Sequence, residues 1–477
     1  MQYAEHETGR SVVVPFAAVV LAMLPAVLDQ TILATALPTV AADLGRLSDI
    51  SWVVTAYVVA ATATTPLWGK LGDRHGRKRL LEASLATFVT ASALCGAAQD
   101  ITQLIVVRAV QGAAAGGLMT LAMAAVGDLV APRERGRYQG YIAATFALAT
   151  VLGPLAGGLL VDHAGWRWVF YVNLPVGVAA LVGLSRTLPA AAAGRPTAPL
   201  DVHGAALLAG ATSALMLACV WGGDRYAWDS PQIGALVAAT VALSVALLVR
   251  ERRAPDPIVP FALLRRRAVA VASAGLFLTT AALFSVVVFV PLFLQTTTGA
   301  SPTQAGLLLV PMTIATAVST TLSGRSIART GRYKRFPVAG LASMTGALTL
   351  LAATAGHPSR TITAVGLALF GLGFGLVTQI LVVAVQNTVE RRELGVATAA
   401  TGFFRALGGA VGAAALGAVF AARAGAHASQ VGPGVRADVI DAVQSVFVVA
   451  APLAALALAV VLWLPEAPLQ QRAGGGG

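Results

Sequence analysis

The chain has 477 residues, of which 57% are apolar and only 11% are charged, and its mean hydropathy is +0.77. Soluble proteins carry roughly 25% charged residues, so this composition excludes a soluble globular protein. The net charge of +12 does not form a nucleic-acid-binding surface, because the basic residues gather in short segments between apolar runs. We therefore expect a membrane protein with no nucleic-acid partner.

Apolar runs of about 18–27 residues recur along the chain, which is the length that a helix needs to cross a hydrocarbon core about 30 Å thick. Lipid offers no water to the backbone, so each run is predicted to be a helix. The predicted fold is an all-α bundle of fourteen transmembrane helices. The predicted spans are 12–37, 51–69, 79–98, 103–126, 139–161, 168–186, 203–222, 231–250, 268–294, 303–323, 337–355, 361–386, 396–421 and 438–464.

The basic residues predict the orientation of this bundle. Most of the 33 Lys and Arg residues lie in alternate loops, on the same side as the amino terminus. The positive-inside rule then places both termini in the cytoplasm, for a multi-pass protein of the cytoplasmic (inner) membrane in contact with lipid. The first apolar run is too long for a signal peptide and contains Asp29, so it is predicted to remain as an uncleaved first helix.

An internal repeat organises the chain. Residues 69–79 follow the second span and residues 324–334 follow the tenth, and the two segments align without gaps. The aligned pairs include Gly69 with Gly324, Arg74 with Arg329, Gly76 with Gly331 and Arg77 with Arg332. An offset of eight helices in the same orientation predicts two parallel six-helix halves with two helices inserted between them. The predicted division is an N-terminal half at 1–190, a linker and two inserted helices at 191–253, and a C-terminal half at 254–477.

The first copy of the repeat has the residues of a conformational latch. Its glycines predict a tight turn, and Asp73 is placed to cap a helix or to pair with basic groups across the half-bundle. Asp128, at the end of the fourth span, is the predicted partner of Arg77. The latch residues are Gly69, Asp73, Arg74, Gly76, Arg77 and Asp128. The alternative is a basic loop that only sets orientation, and Ala328 in the place of Asp73 weakens any latch in the second copy.

Asp29 is the only one of the 21 acidic residues that lies well inside a predicted span. Desolvation there disfavours the carboxylate form, so Asp29 is predicted to take up and release protons. The alternative is a structural salt bridge with Arg108 or Arg405, the two basic residues inside spans. Arg108 is expected to be paired, to face a cavity, or to extend outward to the headgroups.

Three motifs in order resemble the major facilitator superfamily. Residues 69–79 resemble its signature between helices 2 and 3. The run Arg108-Ala-Val-Gln-Gly112 is similar to its motif with an intramembrane arginine. The run at 153–158 resembles its antiporter segment, although Ala149 stands where that pattern has glycine. The residues that match the antiporter segment are Gly153, Pro154, Gly157 and Gly158.

Residues 28–38 and 166–177 are similar to sequences of the fourteen-helix drug:proton antiporter branch of that superfamily. The resemblance implies a multidrug or antibiotic efflux pump that works by alternating access, with Asp29 and Arg108 in proton coupling. Its partners would be a small amphipathic drug or antibiotic and protons. We expect a monomer.

The sequence contains no nucleotide-binding loop, metal cluster or catalytic dyad, so we expect neither an enzyme nor a cofactor, and energy from a proton gradient. The candidate pocket residues are Asp29, Tyr57, Gln111, Asn173, Gln379 and Arg405. Some multidrug members of the branch that the chain resembles have a second acid in the helix that corresponds to the tenth span. The tenth span here lacks one, so the resemblance favours monovalent cations or neutral antibiotics over divalent cations. The alternatives are a proton-coupled symporter or facilitator of a metabolite, and a membrane-embedded protein without transport activity.

Overall fold

Within the described residues, every span that the sequence predicts lies largely in helix. The computed structural model describes residues 12–44, 50–131, 134–189, 200–223, 225–258, 261–298, 307–356, 359–390, 393–424 and 433–466. The helices are α1 (Val13–Leu44), α2 (Ile50–His75), α3 (Arg77–Gly96), α4 (Ile101–Leu129), α5 (Arg135–Ala164), α6 (Trp168–Tyr171), α7 (Asn173–Thr187), α8 (Val202–Trp221), α9 (Pro231–Glu251), α10 (Phe261–Arg265), α11 (Arg267–Thr298), α12 (Val310–Thr330), α13 (Arg335–Thr354), α14 (Arg360–Thr388), α15 (Leu394–Ala424) and α16 (Pro433–Leu462). The all-α fold is confirmed.

Each predicted span overlaps a helix, and the sixth is divided at Val172 between α6 and α7. Within the described residues, ten segments are long and apolar enough to cross a membrane by composition alone. Helices α2, α3 and α12 are not among them, because serine, threonine, glycine and charged side chains lower their hydropathy, and in α5 residues whose side chains lie outside the described part interrupt the apolar stretch. The count of fourteen transmembrane helices stays a prediction.

Side-chain caps define the beginnings of four helices. Asp100, Asp201, Ser230 and Ser359 precede α4, α8, α9 and α14, and each accepts a hydrogen bond from the backbone N–H three residues later. A cap of this kind satisfies one of the donors that a helix leaves unpaired at its start and contributes about 1 kcal/mol. The four helices therefore begin where the sequence offers an oxygen acceptor.

The buried apolar side chains separate into an N-terminal and a C-terminal group. Two clusters lie within residues 16–188, and one lies within residues 263–464. Between them in the chain, α8 packs against α9, α2 and α15, whereas only Ile233 and Glu251 of α9 are buried and most of its other residues are exposed. This exposure suits a helix that faces lipid. The domain boundaries at 190 and 253 stay predictions.

The segment at 69–79 is not the loop that the sequence predicted. Helix α2 continues to His75 and α3 begins at Arg77, so only Gly76 lies between them. Gly76 makes the turn with φ 89°, a conformation that side-chain-bearing residues rarely adopt. In the second copy Gly331 has φ 68° and ends α12 in the same way. The prediction that Gly69 also makes the turn is wrong, because Gly69 lies inside α2.

The aligned glycines Gly69 and Gly324 instead allow helices of opposite halves to touch. A Cβ atom on Gly69 would overlap Gly395 and Ala399 of α15, and one on Gly324 would overlap the backbone of Gly136 in α5. Small residues permit such close approach between membrane helices. The repeat thus produces two equivalent crossings, α2 with α15 and α5 with α12, at the end of the bundle that carries segments 69–79 and 324–334. We name it the basic end.

Candidate functional site

A buried polar cluster lies inside the N-terminal half, around Asp29 of α1. An Nη1–H of Arg108 donates to the Asp29 carboxylate at 2.5 Å, and the Gln111 amide donates to it at 3.1 Å. The Asn173 amide approaches the same carboxylate at 3.3 Å and donates to Ser92 at 3.0 Å. All these side chains are buried. The structure thus brings together four of the seven predicted pocket and coupling residues, and these four come from three different helices.

Arg108 turns into the bundle, so the suggestion that it extends to the headgroups is wrong. It is 1% exposed and also donates to the Val53 carbonyl at 3.2 Å and to the Gln111 side chain at 2.7 Å. Its guanidinium carbon lies 4.2 Å from the centre of the Tyr57 ring. These partners are needed because an unpaired buried charge costs several kcal/mol.

The glycine that follows Arg108 in its motif sets the distance between α4 and α2. A Cβ atom on Gly112 would overlap the backbone of Tyr57. Only glycine permits this approach. Because Gly112 lies four residues after Arg108 on α4, the close contact also brings the Tyr57 ring against Arg108. The motif therefore provides both the buried charge and the packing that covers it.

The antiporter segment performs a similar role between α5 and α1. A Cβ atom on Gly153 would overlap the Thr31 side chain, and one on Gly157 would overlap Thr35 and the Ile32 carbonyl. Gly158 faces open space, so it does not share this contact. Helix α5 runs through Pro154, whose side chain lies outside the described residues. The segment thus holds α5 against the part of α1 that follows Asp29.

A cavity lies between the two halves, with a volume of about 150 Å³. Of the predicted pocket residues, Tyr57, Gln379 and Arg405 line it. The other side chains that line it include Gln30, Thr62, Thr65, Met119, Phe146 and Thr401.

Asp29, Gln111 and Asn173 are not part of the cavity lining, contrary to the sequence-based assignment. They lie behind Tyr57, which borders the cavity on one side and Arg108 on the other. Gln30 was missed, although its position offered a signal. Neighbouring residues on a helix point about 100° apart. Since Asp29 faces the helices packed against α1, the next residue, Gln30, faces a different side, which here is the cavity.

Arg405 differs from Arg108 in that no acidic side chain among the described residues neutralises it. Its side chain is exposed to the cavity, and its guanidinium forms no hydrogen bond or ion pair within the part of the chain that the structure describes. No aspartate or glutamate is found among the described residues that line the cavity. The Asp29–Arg108 pair is neutral overall, so the cavity carries one positive charge.

At the basic end, the predicted latch residues meet as a network. Arg77 donates to Asp73 at 2.7 Å and also pairs with Asp128. The Asp73 carboxylate accepts the backbone N–H groups of Gly395 at 2.8 Å and Val396 at 2.9 Å, at the start of α15. Burial raises the pKa of Asp73, while Arg77 and these N–H groups act to lower it. The network joins the two halves through a helix amino terminus, where an anion is favoured.

Arg74 takes a different partner. Together with Lys70 it pairs with Asp256, in the segment that follows α9. The sequence analysis did not identify Asp256, and the only signal was an acid flanked by Pro255 and Pro257 in a basic segment. One turn of α2 therefore contacts both the C-terminal half, through Asp73, and the chain that leaves the inserted helices.

Two more hydrogen bonds join the halves near the basic end. An Nη1–H of Arg135 donates to the Gln386 carbonyl at 3.0 Å, and the Gln386 amide donates to the Met123 carbonyl at 3.3 Å. Together with the glycine crossings and the Asp73 contacts, they close the space between the halves at this end. The cavity therefore lies beyond a closed barrier when it is approached from the basic end.

A multi-pass helical bundle with a cavity between two halves is the architecture of a membrane transporter. The family model of the Major Facilitator Superfamily matches residues 19–413, and the chain belongs to this superfamily. The curated relatives of the chain are named as transporters.

Curated relatives and solved structures agree with this assignment. The chain is 42% identical over 407 residues to an uncharacterized MFS-type transporter of Mycobacterium tuberculosis, covering 85% of this chain and 59% of that relative. It is 37% identical to the multidrug transporter protein MdtP of Bacillus subtilis, covering 85% and 75%, and 35% identical to multidrug resistance protein 3 of that species, covering 84% and 78%. The chain thus spans about three fifths of the Mycobacterium relative and about three quarters of the two Bacillus proteins.

Among solved structures, the human organic anion transporter MFSD10 matches with a TM-score of 0.69 and 17% identity, covering 95% of this chain and 100% of that one. The proton:xylose symporter XylE matches with a TM-score of 0.66 and 14% identity, covering 95% and 96%. At these identities the similarity demonstrates the fold alone.

Proposed function

We propose that the protein is a proton-coupled antiporter that exports small amphipathic compounds, such as drugs or antibiotics, across the cytoplasmic membrane by alternating access. The names of the two Bacillus relatives support multidrug efflux. The bias of basic residues supports cytoplasmic termini. The structural observation that carries the proposal is the buried ion pair of Asp29 and Arg108 beside the cavity.

This pair has the properties that coupling requires. A proton antiporter needs a group whose charge changes during the cycle, and Asp29 is the acid inside the bundle next to the substrate space. Protonation of Asp29 removes the negative partner of Arg108 and leaves a buried cation without its counter-charge, which is unfavourable by several kcal/mol. A rearrangement of the helices around the cluster that hydrates or pairs Arg108 would then lower the free energy. Proton uptake is thereby linked to a change of conformation.

The route from this pair to the substrate is short. Arg108 contacts the Tyr57 ring, and Tyr57 borders the cavity. A movement of Arg108 alters the position of Tyr57 and so the shape of the cavity. The contacts of Asp73 with α15 stabilise the conformation that is closed at the basic end, and they must break when that end opens.

The test is transport driven by a pH gradient in proteoliposomes, with Asp29→Asn beside the parental protein. Ethidium, dansylglycine and the neutral dansylglycine amide are suitable probes, because they cover three charge classes. We expect the parental protein to move at least one probe against its gradient and in the direction opposite to protons. Asn cannot ionise, so the variant should lose this accumulation.

Two results would count against the proposal. Gradient-driven accumulation at the parental rate by Asp29→Asn would remove Asp29 from the mechanism. Movement of the probe in the same direction as protons would identify a symporter. Collapse of accumulation by a proton ionophore separates coupled transport from passive binding in either case.

A further inference from the structure

The cavity between the halves contains a charge that the coupling mechanism does not use. Arg405 lies eleven residues from the first residue of α15, so it is about 17 Å along the helix axis from the basic end. This depth is close to the middle of a hydrocarbon core about 30 Å thick. An arginine at this depth needs a counter-charge, a polar cavity or both.

Packing prevents Arg405 from turning away from the cavity. A Cβ atom on Gly408 would overlap the backbone of Phe277, and one on Gly412 would overlap Ala281. These two contacts press α15 against α11 and fix its rotation about its own axis. Arg405, one turn before Gly408, is therefore held with its side chain at the cavity.

The two arginines inside the bundle have opposite environments. Arg108 is buried and its charge is balanced by Asp29. Arg405 is exposed to the cavity, and the described residues provide neither an ion pair nor a hydrogen bond for it. We infer that the cavity binds an amphipathic organic anion, whose carboxylate, sulfonate or phenolate group pairs with Arg405 and whose apolar part lies against the opposite wall.

The lining fits such a compound. Met23, Met119, Met123 and Phe146 provide an adaptable apolar surface, while Thr398, Thr401 and Gln379 provide polar groups on the side of the C-terminal half. Attraction between opposite charges is much stronger in a cavity of low dielectric constant than in water. An arginine–carboxylate contact is also charge-assisted and can be bidentate. A cationic compound would meet the uncompensated charge of Arg405 and be repelled.

The charge of the substrate also affects the direction of transport. This inference rests on the proposed export function. A membrane potential that is negative inside favours the outward movement of a negative charge. An exporter of anions would therefore draw on the electrical as well as the chemical part of the proton gradient.

The experiment is equilibrium binding to the purified full-length protein in lipid nanodiscs, without any gradient. Three fluorescent probes share the dansyl group: dansylglycine is an anion, dansylglycine amide is neutral, and dansylcadaverine is a cation. The variants are Arg405→Gln, which removes the charge, and Arg405→Lys, which keeps it. Arg253→Gln, an exposed arginine outside the cavity lining, is the matched control.

We expect the parental protein to bind dansylglycine at least tenfold more tightly than dansylcadaverine. A hydrogen bond to a charged group contributes about 1.5–3 kcal/mol, so Arg405→Gln should weaken dansylglycine binding tenfold or more. The amide should bind the parental protein and Arg405→Gln about equally. Arg405→Lys should recover part of the loss, and Arg253→Gln should behave as the parental protein does.

Three outcomes overturn the inference: tighter binding of the cation than of the anion, unchanged dansylglycine binding in Arg405→Gln, and no saturable binding of dansylglycine by the parental protein. The comparison of the three probes on the parental protein decides the matter even if Arg405→Gln does not fold. Binding without a gradient is independent of proton coupling. If the protein binds the anion preferentially but shows no gradient-driven transport, the proposed function is refuted and the inference about anion binding stands.

Discussion

The guanidinium carbon of Arg108 lies 4.2 Å from the centre of the Tyr57 ring, and this contact separates the buried ion pair from the cavity by one side chain. On its other side Arg108 binds Asp29, while Tyr57 borders the space between the halves. A cation over an aromatic face is favourable by about 2 kcal/mol where water is excluded. The contact therefore connects the buried ion pair to the cavity through the Tyr57 side chain.

The first prediction separates the stability of the ion pair from its role in coupling. Asp29→Asn leaves Arg108 buried without a counter-charge, so it should destabilise the protein by about 3–5 kcal/mol. The double variant Asp29→Asn with Arg108→Gln removes both charges and should recover most of that loss. Thermal unfolding in detergent measures the stability.

Proteoliposome transport of the same two variants measures coupling. Because neither variant has an ionisable group at position 29, both should fail to drive accumulation by a pH gradient. If the double variant is as unstable as the single variant, the two side chains stabilise the protein by packing and hydrogen bonding more than by balancing each other's charge.

The second prediction uses two adjacent glycines of α5. Gly157→Ala places a methyl group onto Thr35 and Ile32, so α5 must move away from α1, and overpacking of this kind costs about 1–3 kcal/mol. Gly158→Ala meets nothing within 4 Å and should stabilise the helix by about 0.5–1 kcal/mol. Thermal unfolding and transport rate should both fall for the first variant and not for the second. Equal behaviour of the two variants would contradict the close contact of α5 with α1.

The third prediction concerns the latch. Asp73→Asn loses the charge-assisted hydrogen bonds with Gly395, Val396 and Arg77, which favour the conformation closed at the basic end. The transport rate should fall several-fold at unchanged expression, since the balance between conformations shifts.

Asp229→Asn, which changes an exposed aspartate between α8 and α9, is the matched control for the latch. Cysteine labelling of the cavity from the basic end should be faster in Asp73→Asn than in this control. If Asp73→Asn transports at the parental rate, segment 69–79 is not a latch and serves only to orient the protein in the membrane.

The fourth prediction concerns the inserted helices. If α8 and α9 form a transmembrane pair between two six-helix halves, residues 225–229 lie outside and residues 255–264 lie inside. Single cysteines introduced into the two segments should react with a membrane-impermeant reagent from opposite sides of the membrane. Reaction of both segments from the same side would disprove the division at 190 and 253.

Much of the fold is predictable because its causes are local. A run of apolar side chains must form a helix in lipid whatever its neighbours are, so the predicted spans coincide with helices. The error at 69–79 is also local in origin. Charged residues ended the predicted span at Gly69. Helix α2 nevertheless continues to His75, because the charged side chains of its last turns bind the start of α15 and Asp256.

Amino-acid identity by itself predicted that Asp29 and Arg108 belong to apolar helices and that Asp73, Arg77 and Asp128 share one end of the bundle. Only the tertiary structure decided that Asp29 pairs with Arg108 and that Arg405 faces the cavity with no ion-pair partner among the residues that the structure describes. The physical reason is that hydropathy establishes the depth of a residue in the membrane, whereas its partner depends on the rotation of each helix. That rotation is set by close contacts between distant segments, such as Gly112 with Tyr57 and Gly408 with Phe277.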